Sequence, residues 1–170
     1  MTRLLSHSHR DRAPRVARAG LVQPVAAVLT DRLDDVAVAE AAARLALARR
    51  VPLLLIAVMP PHVSRSSLGP ASPSVRAVLA RVMPKVGPHA TGYIPEVFHL
   101  TTVGRGSRLA AAKELLALAS RHRAPDVLAA RRGPEGLDAF ALIEAAALRG
   151  GPCVHAIAPA AWVPLRSPAP

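Results

Sequence analysis

The sequence predicts an α/β fold in which a parallel five-stranded sheet carries helices on both faces. Three observations support this fold class. Short apolar segments alternate with helical segments along the chain, and this alternation is typical of parallel sheets. The first two strand candidates are apolar at nearly every position, as expected for strands that helices cover on both sides. Finally, 51% of the 170 residues are hydrophobic, which supplies one full core and excludes disorder throughout.

The segment from Val25 to Pro60 is the clearest part of this pattern. It begins with an apolar run that stops at Asp31, continues as a helix, and closes with the apolar residues 53–58. The helix has apolar residues at intervals of three and four along one stripe, and Asp34 or Asp35 can cap its start. Strand, helix and strand in this order form a βαβ unit, whose crossover should be right-handed.

The later elements continue the alternation. They are expected as a helix over 74–83, a strand over 96–103, a helix over 107–120, a strand over 127–130, a helix over 137–148 and a strand over 153–158. Pro84 should end the first of these helices, because proline lacks the N–H that the helix needs. Ser107 is expected to cap the next one. Gly150 and Gly151 should close the last.

One domain, residues 21–160, is expected between two tails. Residues 1–20 are rich in Arg and have no apolar period, so we expect a disordered basic tail there, and residues 161–170 form a C-terminal tail. The single cysteine excludes an internal disulfide and suits a reducing compartment. No apolar run approaches the roughly 20 residues that span a bilayer, and no signal-peptide core is visible. A cytoplasmic protein without membrane contact is therefore expected.

The formal net charge of +11 indicates an attraction to anions, including nucleotides and nucleic acid. No aromatic residues are interleaved with the arginines of the N-terminal tail, so stacking on bases has no support. A nucleic-acid-binding module remains an alternative that rests on charge alone, and nucleic acid is not the expected partner.

Residues that directly follow each strand are the first candidates for chemistry, since parallel sheets bind ligands at the carboxyl ends of their strands. Asp31 holds such a position, although it could equally be an ordinary turn acid. The stretch 104–107 before a helix could bind an anion, but a plain turn is preferred. Cys153 lies in an apolar strand and is expected to be buried and inert. The histidines show no ligand spacing, so we predict neither a metal site nor a catalytic group.

The order and spacing of these pieces, from about Pro24 to Pro159, resemble the universal stress protein family. The pieces that carry the resemblance are the strand ending in Asp31, the Ala-rich helix with Ala42-Ala43-Arg44-Leu45-Ala46, the strand Leu54-Leu55-Ile56-Ala57-Val58, Ala124-Pro125-Asp126-Val127-Leu128, the turn Gly133-x-x-Gly136, and Gly151-Pro152-Cys153-Val154. The resemblance implies the Rossmann-like sheet of the adenine nucleotide hydrolases, with strand order 3-2-1-4-5. It also implies a homodimer formed through the last strand, Cys153 to Ala158.

ATP-binding members of that family carry Gly-x-x-Gly, nine further residues, and then Gly-Ser or Gly-Thr. The glycines admit the phosphates to the backbone, and the hydroxyl bonds them. Gly133 and Gly136 supply the first half here, whereas Ala146 and Ala147 stand where the second is expected. In the other possible alignment, Arg131 replaces the first glycine. Either alignment implies a degenerate phosphate site, and no cofactor is expected.

The resemblance still implies candidate contacts to an adenine nucleotide. Asp31 and the backbone of the second strand would hold the ribose and adenine, and two arginines would offer charge to phosphates. The candidate residues are Asp31, Ala57, Val58, Arg131, Arg132, Gly133 and Gly136.

The sequence therefore favours a non-enzymatic, universal-stress-protein-like domain with a regulatory role in the stress response. One alternative is a stress protein that binds ATP or AMP normally. An enzyme of the related nucleotide-hydrolase folds would need a Ser-Gly-Gly-type loop where residues 30–33 read Thr-Asp-Arg-Leu. A phosphorelay receiver would need a lysine where Ala158 and Pro159 follow the last strand.

Overall fold

The computed structural model describes residues 23–61, 69–100, 109–134 and 136–158. Strands and helices alternate strictly along these residues. They are β1 (Val25–Leu29), α1 (Asp35–Arg49), β2 (Leu53–Met59), α2 (Pro73–Val86), β3 (Tyr93–His99), α3 (Ala110–Arg121), β4 (Asp126–Ala130), α4 (Ala139–Arg149) and β5 (Cys153–Ile157). Both predicted tails, residues 1–20 and 161–170, lie outside the described residues.

The strands form one sheet of order β3-β2-β1-β4-β5, and every neighbouring pair is parallel. The predicted fold class and the strand order are confirmed. The chain builds outward from β1 through β2 to β3 and then crosses back to place β4 on the other side of β1. The strand order therefore reverses between β1 and β4, which is the position where open α/β sheets form a crevice.

Two helices cover each face of the sheet. One face packs against α1 and α2, and the other packs against α3 and α4. Every residue of β1 and β2 is buried, in agreement with strands covered on both sides. The distribution of helices agrees with the sequence prediction.

Small side chains bring α1 close to the sheet. Ala39, Ala42, Ala43 and Ala46 are all buried on the helix face that packs on β1. Aromatic residues make up only 2% of the chain, so Ala, Val and Leu fill the core. Close approach of the backbones compensates for the missing volume of large side chains, because interiors are packed without sizeable voids.

The third strand is the clearest boundary error. It runs from Tyr93 to His99, whereas the sequence predicted 96–103. Residues 85–95 had been interpreted as a connection because they contain two prolines and two glycines. Pro95 nevertheless lies inside β3, which the fold tolerates because β3 is an edge strand and one side of its backbone does not enter the ladder.

The second helix continues past the proline that was expected to end it. It begins at Pro73, after Ser72 accepts a hydrogen bond from the Val75 N–H, and it ends at Val86 with Pro84 inside. Val86 is fully buried against the α1 side of the sheet. Burial of this side chain stabilises the last turn and offsets the hydrogen bond that Pro84 cannot make.

Two helix starts, one strand start and one strand end also differ from prediction. Helix α3 begins at Ala110, and its N-cap Leu109 makes no side-chain cap hydrogen bond. Ser107, the predicted cap, lies outside the described residues. Helix α4 begins two residues later than predicted, after an Asp138 cap. Strand β4 begins one residue earlier, and β5 ends at Ile157.

Gly150 ends α4 in the left-handed conformation (φ 66°), as the sequence predicted for this glycine. None of the helices in the described part of the chain combines the length and the hydropathy that a membrane crossing would require.

Candidate functional site

A cavity of about 670 Å³ opens at the carboxyl end of the sheet, on the β4 side of the switch point. Arg131 and Arg132, which directly follow β4, line it together with Ala158 after β5. Asp34 before α1 and Phe140 in the first turn of α4 complete the lining. Two of the residues predicted from sequence, Arg131 and Arg132, thus lie in the crevice where this type of sheet binds ligands.

The two arginines give the cavity its charge. Both are exposed, and the guanidinium of Arg131 lies over the ring of Phe140 with 5.9 Å between its carbon and the ring centroid. This cation–π contact holds Arg131 at the cavity. Its backbone N–H donates to the Ile157 carbonyl at 2.8 Å, which fixes the start of the loop beside β5. Among the described residues that line the cavity there are two arginines and one carboxylate, Asp34, so this part of the lining is net positive and favours anions.

The two glycines of the predicted phosphate turn, Gly133 and Gly136, each have a structural role. A Cβ at Gly133 would come within 3.0 Å of the Leu137 carbonyl oxygen and of the Asp138 Cα, so the turn packs directly against the start of α4. Gly136 has φ 77°, a conformation that glycine adopts without strain. Both glycines are therefore needed to close the β4–α4 connection whether or not a ligand binds.

The N-terminus of α4 is occupied by a side chain of the protein. The Asp138 carboxylate accepts a hydrogen bond from the Ala141 N–H at 3.0 Å. Helix N-termini bind anions through their free N–H groups and positive dipole end, and here a carboxylate already uses that position. Ala146 and Ala147, at the expected place of the second phosphate element, lie in the last turns of α4 rather than in a loop.

Asp31 lies at the carboxyl end of β1 but does not line the cavity. Its backbone is left-handed, with φ 61°, which Asp tolerates better than most residues. Its carboxylate forms an ion pair with the Arg81 guanidinium of α2 at 2.7 Å, and both side chains are substantially exposed. The charge of Asp31 is thus directed towards α2, whereas Asp34, which was predicted only as a cap, faces the cavity.

Asp35 shapes the loop that carries both of these residues. Its carboxylate accepts hydrogen bonds from the Thr30 N–H at 2.9 Å and the Arg32 N–H at 3.1 Å. The residue is only 1% exposed. Burial raises the pKa of the Asp35 carboxyl above 3.8, although the hydrogen bonds from Thr30 and Arg32 act in the opposite direction. Asp34 occupies the N-cap of α1 without a side-chain bond, so Asp35 is the loop-organising acid.

Ala57 and Val58 are buried near the end of β2. Ala57 pairs in register with Leu29, the last residue of β1, so β2 extends beyond β1 from Val58 onward. They lie on the β2 side of β1, away from the cavity beside β4. The structure therefore brings Arg131 and Arg132 together in one cavity and leaves Asp31, Ala57 and Val58 outside its lining.

A second group of polar side chains lies at the opposite end of the sheet. Asp126 at the start of β4 pairs in register with Cys153 at the start of β5, and His155 follows two residues later on the same face. The Asp126 carboxylate lies 2.9 Å from the His155 Nε2 and forms an ion pair with Arg49 of α1. Burial favours a higher pKa for Asp126, but the hydrogen bonds from His155 and Arg49 outweigh it and lower that pKa.

The prediction that Cys153 is buried is wrong. The residue is exposed, with a free thiol, because β5 is an edge strand and its first residues are not covered. The grouping of Cys153 with Asp126 and His155 was also missed. The two strands are separated by a whole helix in sequence, and only the register of β4 against β5 unites them.

The comparison with protein families finds no matching family, and no curated protein matches the chain. Solved structures do match it. A universal stress protein in complex with cAMP superposes with a TM-score of 0.55 at 15% identity, over 82% of this chain and 98% of that one. A protein of the universal stress protein family from Burkholderia pseudomallei superposes with a TM-score of 0.52 at 14% sequence identity, over 81% of this chain and 98% of that one. A universal stress protein from Archaeoglobus fulgidus superposes with a TM-score of 0.50 at 16% sequence identity, over 80% of this chain and 98% of that one. The chain therefore has the fold of the universal stress proteins.

The raised pKa of Asp35 predicts how its contribution to stability depends on pH. Because the folded state binds this proton more tightly than the unfolded state, the free energy of unfolding falls as pH rises from 3.8 through the raised pKa. Asparagine does not titrate. As pH rises through that window, the free energy of unfolding of the native chain should therefore fall relative to that of Asp35→Asn. Urea unfolding at closely spaced pH values measures the difference, and a shift in favour of the native chain would contradict the assignment.

Proposed function

We propose that this chain, on the scaffold of the universal stress proteins, is a non-enzymatic regulatory domain whose nucleotide site has degenerated. The observation that carries the proposal is the occupation of the α4 N-terminus by the Asp138 carboxylate. A polyphosphate at this place would lose the helix N–H groups and would meet a negative charge instead.

The missing contacts are large enough to decide the affinity for ATP. A charge-assisted hydrogen bond contributes about 1.5–3 kcal/mol. Ala146 and Ala147 lie in the helix and offer no hydroxyl, Gly133 packs against the start of α4, and Gly136 has a positive φ. Losing two such bonds, about 3–6 kcal/mol together, weakens binding by roughly two to four orders of magnitude. ATP should therefore bind weakly or not at all.

The remaining groups favour a small anionic ligand. Arg131 and Arg132 supply positive charge, and the ring of Phe140 supplies a flat apolar surface in the same cavity. An adenine nucleotide with a single phosphate suits this combination better than ATP, because two exposed arginines form no cradle for a phosphate chain. The complex of a structural neighbour with cAMP supports the choice of this ligand class.

The absence of catalysis is part of the same proposal. The described residues of the cavity lining are two arginines, Asp34, Phe140 and Ala158, and among these side chains there is no nucleophile and no histidine. A general acid–base mechanism would need a partner for Asp34 within reach of a substrate. We also propose a cytoplasmic location, in keeping with the free thiol of Cys153.

Thermal-shift measurements with AMP, cAMP, ADP and ATP test the ligand and its contacts. We expect millimolar AMP or cAMP to raise the melting temperature, since a ligand that binds only the folded state stabilises it. Arg131→Ala and Arg132→Ala should each raise the dissociation constant by about tenfold or more, because each removes a charged contact. Arg76→Ala removes an exposed arginine of α2 outside the cavity lining and serves as the control. Equal binding by the native chain and both cavity variants would remove this cavity from the proposal.

A homodimer is the second part of the proposed function. Strand β5 is at the edge of the sheet, as the sequence predicted, and within the described residues it pairs only with β4. Cys153 and Ala156 are exposed on it. Large apolar side chains are also exposed on the adjacent α4, namely Phe140, Ile143 and Leu148. An open apolar edge beside such a patch favours pairing with a second copy about a two-fold axis, most directly by antiparallel contact of two β5 strands. Trp162, Val163 and Leu165, which could cross to the partner, lie outside the described residues.

Sedimentation measures the dimer directly. The native chain should sediment as a dimer at tens of micromolar. Ala156→Lys should weaken that dimer, because a lysine on an edge strand opposes strand addition. Ala80→Lys adds the same charge to an exposed position of α2 and should leave the dimer intact. A monomeric native chain, or equal dissociation in both variants, would contradict an interface through β5.

A further inference from the structure

The amino ends of β4 and β5 hold a group of side chains that the proposed function does not use. Asp126, Cys153 and His155 each offer one ligand atom, and these three atoms all lie within 4.8 Å of one another. The group is separated from the cavity by the full length of the strands, since the cavity lies at their carboxyl ends.

The backbone dictates this grouping. Side chains alternate between the two faces of a strand, so Cys153 and His155, two residues apart on β5, project from the same face. Asp126 is the register partner of Cys153 on the neighbouring parallel strand and projects from that face too. Because regular strands carry all three residues, their separations follow from the sheet geometry rather than from a loop.

We propose that Asp126, Cys153 and His155 form a zinc site with a fourth position open to solvent. Thiolate sulfur, imidazole nitrogen and carboxylate oxygen are the three ligand types that Zn²⁺ takes in proteins, at about 2.0–2.3 Å. Tetrahedral geometry with such bonds separates ligand atoms by about 3.3–3.8 Å. The three ligand atoms lie within 4.8 Å of one another, and the Asp126 oxygen and His155 Nε2 are 2.9 Å apart, so small side-chain rotations that separate this pair and bring Cys153 Sγ closer would give the tetrahedral spacing.

The surroundings of the group suit a metal ligand set. The second carboxylate oxygen of Asp126 is held by the Arg49 guanidinium, which leaves the first oxygen on the side of His155. Hydrogen bonds of this kind orient the carboxylates that bind metals. Asp126 is buried, His155 is half-buried and Cys153 is exposed, so the group is anchored in the sheet at Asp126 and open to solvent at Cys153.

Binding would exchange the present contacts for metal bonds. Zn²⁺ replaces the proton of the Cys153 thiol, which is released to solvent. The proton that His155 Nε2 donates to Asp126 shifts to Nδ1 of the same neutral ring, so the freed Nε2 lone pair binds the ion in place of the hydrogen bond. No oxidation or reduction takes part. The site also agrees with a dimer through β5, because strands pair through their backbone edges while these side chains project from the face of the sheet.

Cobalt titration of the full chain under reducing conditions provides a specific test. The chain has one cysteine, so a thiolate-to-cobalt charge-transfer band can arise only from Cys153. We expect this band, with the visible bands of tetrahedral Co²⁺, to saturate at one ion per chain and to disappear when Zn²⁺ is added. Competition with a chromophoric chelator then gives the dissociation constant for Zn²⁺.

Variants separate this site from adventitious binding. Cys153→Ala should abolish the charge-transfer band, and both it and His155→Gln should weaken Zn²⁺ binding by at least about tenfold. Both residues lie at least partly exposed, so circular dichroism can verify that each variant remains folded. The control is the double change His7→Gln and His9→Gln in the N-terminal tail, which should leave the band and the affinity unchanged. Absence of the charge-transfer band in the native chain at millimolar Co²⁺, equal Zn²⁺ affinity in native chain and Cys153→Ala, or loss of binding in the tail variant would each overturn the proposal.

Discussion

The parallel pairing of β4 with β1 is the constraint on which the rest of the structure depends. With every strand pointing the same way, all carboxyl ends meet at one edge of the sheet and all amino ends at the other. The reversal of strand order at β1 and β4 opens the crevice at the first edge, where Arg131, Arg132 and Asp34 converge. The register of β4 against β5 brings Asp126, Cys153 and His155 together at the opposite edge. One topology thus supplies two separate groups of polar side chains.

The β4–α4 connection decides what the cavity can hold. Gly133 is needed for the close approach of the turn to Asp138, and Gly136 is needed for its positive φ. Asp138 then caps α4, so one N–H that could bind a phosphate, that of Ala141, already bonds a carboxylate of the protein. The fold therefore requires glycine at these two positions of the turn whether or not the turn binds phosphate. A glycine motif alone therefore does not establish nucleotide binding.

Much of the fold could be predicted from the sequence, because periodicity and apolar runs report local structure. The errors occurred where tertiary contacts override local signals. Pro84 lies inside α2 because Val86 is buried, and Pro95 lies inside β3 because that strand is at an edge. Propensity alone would have broken both elements at these prolines.

The candidate site was predictable only in part. Arg131 and Arg132 could be predicted because the resemblance places the phosphate turn directly after the fourth strand, at an edge of the sheet where ligands bind. Phe140 and Asp34 were missed because their contribution depends on how α4 and the β1–α1 loop are placed around the cavity. The group of Asp126, Cys153 and His155 was missed since no sequence spacing encodes the register between two strands that a helix separates. Burial of Cys153 was predicted wrongly for a related reason, as apolar neighbours do not reveal an edge position.

The central claim of the proposed function is that the chain has the crevice of this fold but lacks the hydrogen bonds that would hold the phosphates of ATP. Calorimetric titration of the full chain with ATP tests this claim most directly. The account predicts a dissociation constant no tighter than about 100 μM, because at least two charge-assisted hydrogen bonds, about 3 kcal/mol together, are missing relative to a low-micromolar site. A dissociation constant for ATP in the low micromolar range would contradict it.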